Sequence, residues 1–279
     1  MTGRIAIVSG DPAGRRHPLR SIAHSYLESL LPRNGAGASL APEFRASING
    51  EWVANRPHPP IEDFPALQIF LDPVQGGVVV TGVAVSAGMR CPYALRLKVQ
   101  GEQILEAESI LSDSRKGHFA DVDQMLEPDV LYDAPVPPER ASDRAALTAA
   151  ADSYWTGLQE SDGSIPRFSY RCERFDNGKK LTNNLSILLS PEATVLTCAS
   201  SLNLTRGARP VARNRRFPVL DVDLGIVASF ALVDFQPNPQ NGLPGMAYYA
   251  LGLFKIVDGS IRSLDEISTK LPLGTPPIW

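Results

Sequence analysis

The sequence predicts an α+β fold built as two tandem cones, each made of helices laid on a curved antiparallel sheet. Three observations carry this. Read against itself at an offset of 128 residues, the chain repeats without a gap from Leu19 to Asn55, with nine identities in 37 positions. Roughly two or three would arise by chance at that length. Each copy opens on a segment of helical period, and each closes on apolar-rich runs separated by turn signals, the pattern of strands.

The helices come first. "PLRSIAHSYLESLLP" places Leu19, Ala23, Tyr26, Leu27 and Leu30 at spacings of three and four, so one face is apolar. "RAALTAAADSYWTGLQE" repeats the pattern, with Leu147, Ala151, Tyr154 and Leu158 at the matching places. An irregular stretch follows in each copy, with Asn49-Gly50 in one and Asn177-Gly178 in the other. Both pairs read as turns, and each has a further Asn six residues on, Asn55 and Asn183. The strands then read as "GGVVVTGVAVS", "YALRLKV" and "QILEAES" in the first copy. In the second they are "RRFPVLD", "GIVASFALVDF", "YYALGLFKIV" and "SIRSLDEIS". "QGEQ", "VDGS" and "LDVDLG" are turn signals. The intervening "MLEPDVLYDAPVPPERASD" is rich in Pro and Asp and reads as a linker. The expected domains are 1–128 and 140–279, joined by 129–139.

Composition agrees. The 279 residues suffice for one large domain or two halves, and 43% hydrophobic with 20% charged residues is ordinary for a soluble globular chain. A net charge of -3 lacks the basic excess of a nucleic-acid or anionic-membrane surface. The longest apolar run, "GIVASFALVDF", is too short to span a bilayer. No A-x-A-like cleavage site follows the first apolar run, so no signal peptide is expected. Three cysteines without metal spacing favour reduced thiols and a cytoplasmic protein, with a Cys172–Cys198 bridge left open.

"SYWTGLQ", "PRFSYRCERFDNG", "RNRRFPVLDVDLGIVASFALVDF", "LGLFKIVDGSIRSLDEI" and "LPLGTPPIW" resemble a family of duplicated SnoaL-like proteins of the nuclear-transport-factor-2-like superfamily. The resemblance covers nearly the whole chain. It implies a pocket between helix and sheet in each cone, and pairing through open sheet faces, including homo-oligomers. Family members often carry Asp-His where this chain has Asp234-Phe235, so no role for that histidine carries over. The neighbouring activity for comparison is the cofactorless diarylpropane lyase of lignin-dimer catabolism. It implies a cofactor-independent lyase that acts on an apolar, aromatic, phenolic molecule and releases formaldehyde. The alternatives are a dehydratase, isomerase or cyclase of secondary metabolism, and a non-catalytic binding module. A pocket plugged by apolar side chains in both copies would favour the last.

The residues point away from cofactor chemistry. "AIVSGDPAG" lacks the dinucleotide fingerprint and a Walker lysine. His17, His24, His58 and His118 have no metal spacing, and there is no G-x-S-x-G elbow. Acid–base work in a pocket remains. Tyr26 and Tyr154 sit at matching helix positions and could donate to an oxyanion, or simply pack. Trp155 could stack on an aromatic substrate or fill the core. His24 could act as acid or base, or be solvated. Arg96 faces Glu106 and Glu108 across strands; it either holds an anionic intermediate or belongs to a charge ladder. Its counterpart is Leu253. Arg171, Arg216 and Asp221 concentrate in the second copy, for substrate oxygen and a base, or for salt bridges and a turn. The expected catalytic set is thus His24, Tyr26, Arg96, Arg171 and Asp221, with Tyr154, Trp155 and Arg216 binding substrate.

Overall fold

The computed structural model describes residues 5–7, 17–32, 37–55, 60–113, 120–127, 129–185, 196–237 and 244–279. His58, His118 and most of "AIVSGDPAG" lie outside them. The first half runs β1 (Ile5–Ile7), α1 (Pro18–Ser29), β2 (Leu40–Ile48), β3 (Glu51–Trp52), β4 (Ile61–Asp72), β5 (Gly77–Ser86), β6 (Met89–Gln100) and β7 (Gln103–Leu111). The second runs α2 (Arg144–Glu160), β8 (Phe168–Asp176), β9 (Lys179–Lys180), α3 (Cys198–Asn203), β10 (Val211–Asp221), β11 (Ile226–Phe235), β12 (Met246–Val257) and β13 (Ser260–Leu271).

Two sheets result, ordered β1-β4-β5-β6-β7-β2-β3 and β10-β11-β12-β13-β8-β9. This is the α+β architecture expected, two tandem halves that each lay a helix on a sheet to form a cone. Each sheet has an antiparallel four-strand meander, β4–β7 or β10–β13. The sheets are nonetheless mixed, where an antiparallel one was expected: β2 lies parallel to β7, and β8 parallel to β13. Hairpins force antiparallel pairing only between strands adjacent in the chain, and the whole meander separates β2 from β7.

The stretches expected to be irregular contain these flanking strands. Asn49-Gly50 turns β2 into β3, and Asn177-Gly178 turns β8 into β9. All four residues have positive φ (50°, 75°, 48° and 81°), the conformation that Asn and Gly tolerate best. The Asn side chains then do a second job. Asn49 Nδ2 donates to Leu111 O (3.0 Å) and its Oδ1 accepts from Leu111 N (2.9 Å). Asn177 makes the same pair with Ser268, at 3.3 and 3.0 Å. The amide continues the ladder where the parallel strand stops.

Each helix closes one face of its sheet. Leu19, Ala23, Tyr26 and Leu27 of α1 pack on Leu67, Ile69, Val78, Val80, Leu95 and Leu97. Leu147, Ala151, Tyr154, Trp155 and Leu158 of α2 pack on Val227, Phe254, Ile261 and Leu264. The opposite faces pack on one another: Phe70, Val79, Ala94 and Ile110 of the first sheet meet Val219, Ile226, Ala228, Phe230, Leu251 and Leu253 of the second. The Pro-rich connecting segment packs here as well. Tyr132 is fully buried and donates to Leu253 O (3.2 Å), and Val136 N donates to Asp223 O (2.8 Å).

Cys172 and Cys198 form a disulfide, with Cα atoms 6.1 Å apart. This corrects the expectation of reduced thiols, for β8 and α3 meet at these two positions. Cys91 is buried outside the bridge. Among the described residues no helix is long and apolar enough to cross a membrane.

Candidate functional site

The helix-facing space of both cones is occupied by side chains. Tyr26 is buried against Phe44, ring centroids 6.2 Å apart, and burial pushes its hydroxyl pKa up. Tyr154, Trp155 and Phe254 fill the second cone, with centroids 5.1 to 6.3 Å apart. Gly252 makes room for the indole, since a Cβ there would lie 3.1 Å from Trp155. Trp155 Nε1 donates to Ser229 Oγ at 2.9 Å. These are core roles. His24 lies part-exposed on α1, 3.5 Å from Glu28. Asp221 accepts from Leu224 N (2.9 Å) in the turn after β10. Arg171 is exposed and lines a groove with Tyr170 and Arg262.

Two of the expected residues do meet, though between the sheets rather than under a helix. Alternation along β6 sends Leu95 and Leu97 to α1 and Arg96 to the second sheet. Arg96 and Glu108 are register partners. Arg96 reaches Glu106 at 2.6 Å and Glu108 at 3.3 Å. Arg216 of β10 crosses over to both Glu108 oxygens, at 2.5 and 3.0 Å, and the Tyr249 hydroxyl donates to the same carboxylate. Glu108 is therefore fully buried but neutralised by two guanidinium groups. This is the ladder alternative, extended across the two sheets.

At the corresponding step of the second sheet, Asp265 is the register partner of Leu253, and no arginine is opposite. Asp265 lines a cavity of about 290 Å³ between the sheets. Gln68 of β4 and Thr81 of β5, themselves register partners, form the opposite wall. Gly82 (φ 149°) brings the backbones together here, because a Cβ would sit 2.1 Å from Ala66 O. β4 shifts register between Asp63 and Ala66, at Pro65, which cannot donate to a ladder. Gln124 and Met125 cover the cavity. Their segment is held by Asp121 N donating to Asn177 O (3.0 Å) and by an Arg90–Asp123 ion pair (2.8 Å).

Two buried polar atoms, one on each of these walls, have no hydrogen-bond partner among the described residues: Gln68 Nε2 and Asp265 Oδ1. Gln68 is only 6% exposed. An unsatisfied buried group costs about 1–3 kcal/mol, and here the two groups flank a cavity from which a partner could reach them. Burial pushes the Asp265 carboxyl up to about 7; the Tyr132 hydroxyl pulls it down, and the charges of Asp129, Asp176 and Glu173 push it further up. The adjacent Glu266 is also raised to about 7 by burial and by Asp176, against the pull of Arg174 and Tyr154. Tyr154 donates to Glu266 at 3.2 Å, and Arg174 holds Asp176 through two bonds, 3.1 and 3.0 Å. Asp265, Gln68 and Glu266 were all missed from the sequence. The available signal was an acidic residue kept opposite a lost arginine. Among the described residues no three His, Cys, Asp or Glu side chains group as a metal site would require.

Residues 140–268 match a family described as a domain of unknown function, DUF8021. No curated protein matches the chain. Among solved structures, a cystatin-like protein of unknown function from Methylobium petroleophilum is similar at 13% identity and a TM-score of 0.32, over 46% of this chain and 78% of that one. A candidate polyketide cyclase from Xanthomonas campestris has 15% identity and a TM-score of 0.34, over 45% and 92%. A ketosteroid isomerase-like protein from Erwinia carotovora has 12% and 0.28, over 46% and 95%. None of these likenesses bears on what the chain does.

Proposed function

We propose that the protein binds a small molecule between its two sheets and acts on it by acid–base chemistry, with Asp265 as the proton-transfer group. The supporting observation is the pair Gln68 Nε2 and Asp265 Oδ1, buried, without partners among the described residues, and lining one cavity. Gln68 would hold a ligand oxygen. Asp265, poised near neutrality, would take a proton from a neighbouring O–H or C–H, or give one to a departing hydroxyl. This keeps the chain in the lyase or isomerase class named from sequence. The diarylpropane substrate is less well served: 290 Å³ is at the small end of ligand pockets and suits one ring better than two.

A second reading, binding without turnover, is favoured by the filled cones. One experiment tests both. Wild type and Asp265→Asn are incubated with one-ring phenolic diols, alcohols and amino alcohols, plus a phenolic diarylpropane diol. Loss of water, release of formaldehyde and C–H exchange in deuterated water are followed. Turnover that falls about 10²-fold or more in Asp265→Asn is the expected result. Binding without turnover supports the second reading. Turnover untouched by Asp265→Asn overturns the assignment of the site.

A further inference from the structure

The charge of the cavity narrows what it takes. Among the described residues lining it, five are carboxylic acids, Glu127, Asp129, Glu173, Asp265 and Glu266, and none is Lys, Arg or His. An anion would find no cation among these lining residues. At the rim the chain already seats an ammonium of its own: Lys180 Nζ lies 2.5 Å from Glu173 and 5.8 Å from the centroid of the Phe175 ring. Both residues line the cavity. A carboxylate beside an aromatic face is a favourable setting for a cation. Deeper in, Asp265 offers an oxygen with no donor among the described residues, and Gln68 offers a donor with no acceptor.

We propose that the cavity takes a small amine, bound as its ammonium ion, that also carries an oxygen: the Asp265 carboxylate accepts an ammonium N–H, and the Gln68 amide donates to the oxygen. The inference rests on the cavity being the ligand site, not on proton transfer by Asp265, and adds the charge class of the ligand. Its volume equals about ten water-sized portions, which sets the scale of the molecule at a single ring with a short side chain.

Three probes share one ring and one phenolic oxygen and differ in the head group: tyramine, tyrosol and 4-hydroxyphenylacetate. Calorimetric titration of the whole chain at pH 8 is expected to rank tyramine at least tenfold tighter than tyrosol, and the carboxylate weakest. Asp265→Asn is expected to remove the amine's advantage while leaving tyrosol within about threefold. Gln68→Leu is expected to weaken tyramine and tyrosol alike. Tyrosol equal to or tighter than tyramine, or the carboxylate binding best, overturns the charge assignment and leaves the cavity standing as a ligand site. Failure of all three to bind at 10 mM overturns the cavity reading as well. Should Asp265→Asn not fold, the wild-type ranking alone decides the charge question.

Discussion

Two carboxylates at matching steps of the two sheets show how one residue's neighbours set its chemistry. Glu108 has Arg96 and Arg216, and Asp265 has Leu253 opposite. The first is a structural charge; the second is held protonated towards neutral pH. The pH dependence follows from this. An unfolded Asp ionises near pH 4, and Asp265 ionises at about 7 in the fold. Between those values the folded chain holds a proton that the unfolded chain has released. This contribution to stability is therefore full below about pH 4 and is lost as pH rises towards 7, with a ceiling of about 1.4 kcal/mol per unit for each such group. Asp265 titrates facing Tyr132, Asp129, Glu173 and Asp176, and Glu266, next to it on β13, contributes in the same direction. Thermal melts at pH 5 and 7.5 should show this loss, and Asp265→Asn should remove about half of it. A melting temperature that rises over the same range would contradict the assignment. Arg96→Leu separates the other carboxylate. With Glu108 still held by Arg216, the variant should lose about 1–3 kcal/mol of stability and keep ligand binding unchanged. Weakened binding without a lower melting temperature would return Arg96 to the site. The Arg96 ladder was legible because its partners lie on adjacent strands. Asp265 was not, because its environment exists only once the second sheet packs on the first.

At the scale of elements, the sequence displayed what has a strong period. α1, α2 and the inner strands of both meanders are uniformly apolar or evenly spaced, so they read at sight. β4 was hidden by Pro65 and its register shifts, and β8 by alternating charges on a part-exposed strand. The Asn-Gly phrases were read as turns, which they are, but the side-chain role needed the neighbouring strand to be in place. Here a substitution pair is informative. Asn177→Gly keeps the positive φ and loses the two bonds to Ser268, for about 1–3 kcal/mol. Asn177→Ala loses the bonds and adds about 1 kcal/mol of backbone strain. Chemical denaturation of the two should rank them Gly above Ala, both below wild type. Equal stability of wild type and Asn177→Gly would show that the amide contributes nothing beyond its turn. The Cys172–Cys198 bridge lies in the same region and ties β8 to α3. Bridges of this kind persist in oxidising surroundings, so the cysteines no longer argue for a cytoplasmic setting.

Across the whole molecule, the two sheets depend on one another. Their shared core draws Phe70, Val79 and Ala94 from one half and Ile226, Phe230 and Leu253 from the other. Arg216 of the second half neutralises Glu108 of the first. Asp72, also fully buried, is neutralised by Arg144 of α2 at 2.6 Å and accepts from Leu220 N. Trp279, in the segment after β13, reaches back to the first sheet: its Nε1 donates to Ser47 Oγ (2.6 Å), its ring meets Trp52 at 4.7 Å, and the Arg45 and Arg96 guanidinium groups lie 5.3 and 5.6 Å from it. If either half unfolded alone, the other would expose an apolar sheet face; with the second half unfolded, the first would also leave Asp72 without Arg144, a loss of about 3–5 kcal/mol where that carboxylate stays buried. That exceeds what half a small protein of ordinary stability can spare. Unfolding in urea should therefore be a single transition. The tryptophans provide separate probes, since Trp155 is buried in the second cone and Trp52 belongs to the first half. Fluorescence of a Trp155→Phe variant, fluorescence of a Trp52→Phe, Trp279→Phe variant, and far-ultraviolet circular dichroism of each should give coincident midpoints within each variant. Separate midpoints for the two halves would mean that the shared core and the crossing ion pairs do not couple them, and that each cone is stable on its own.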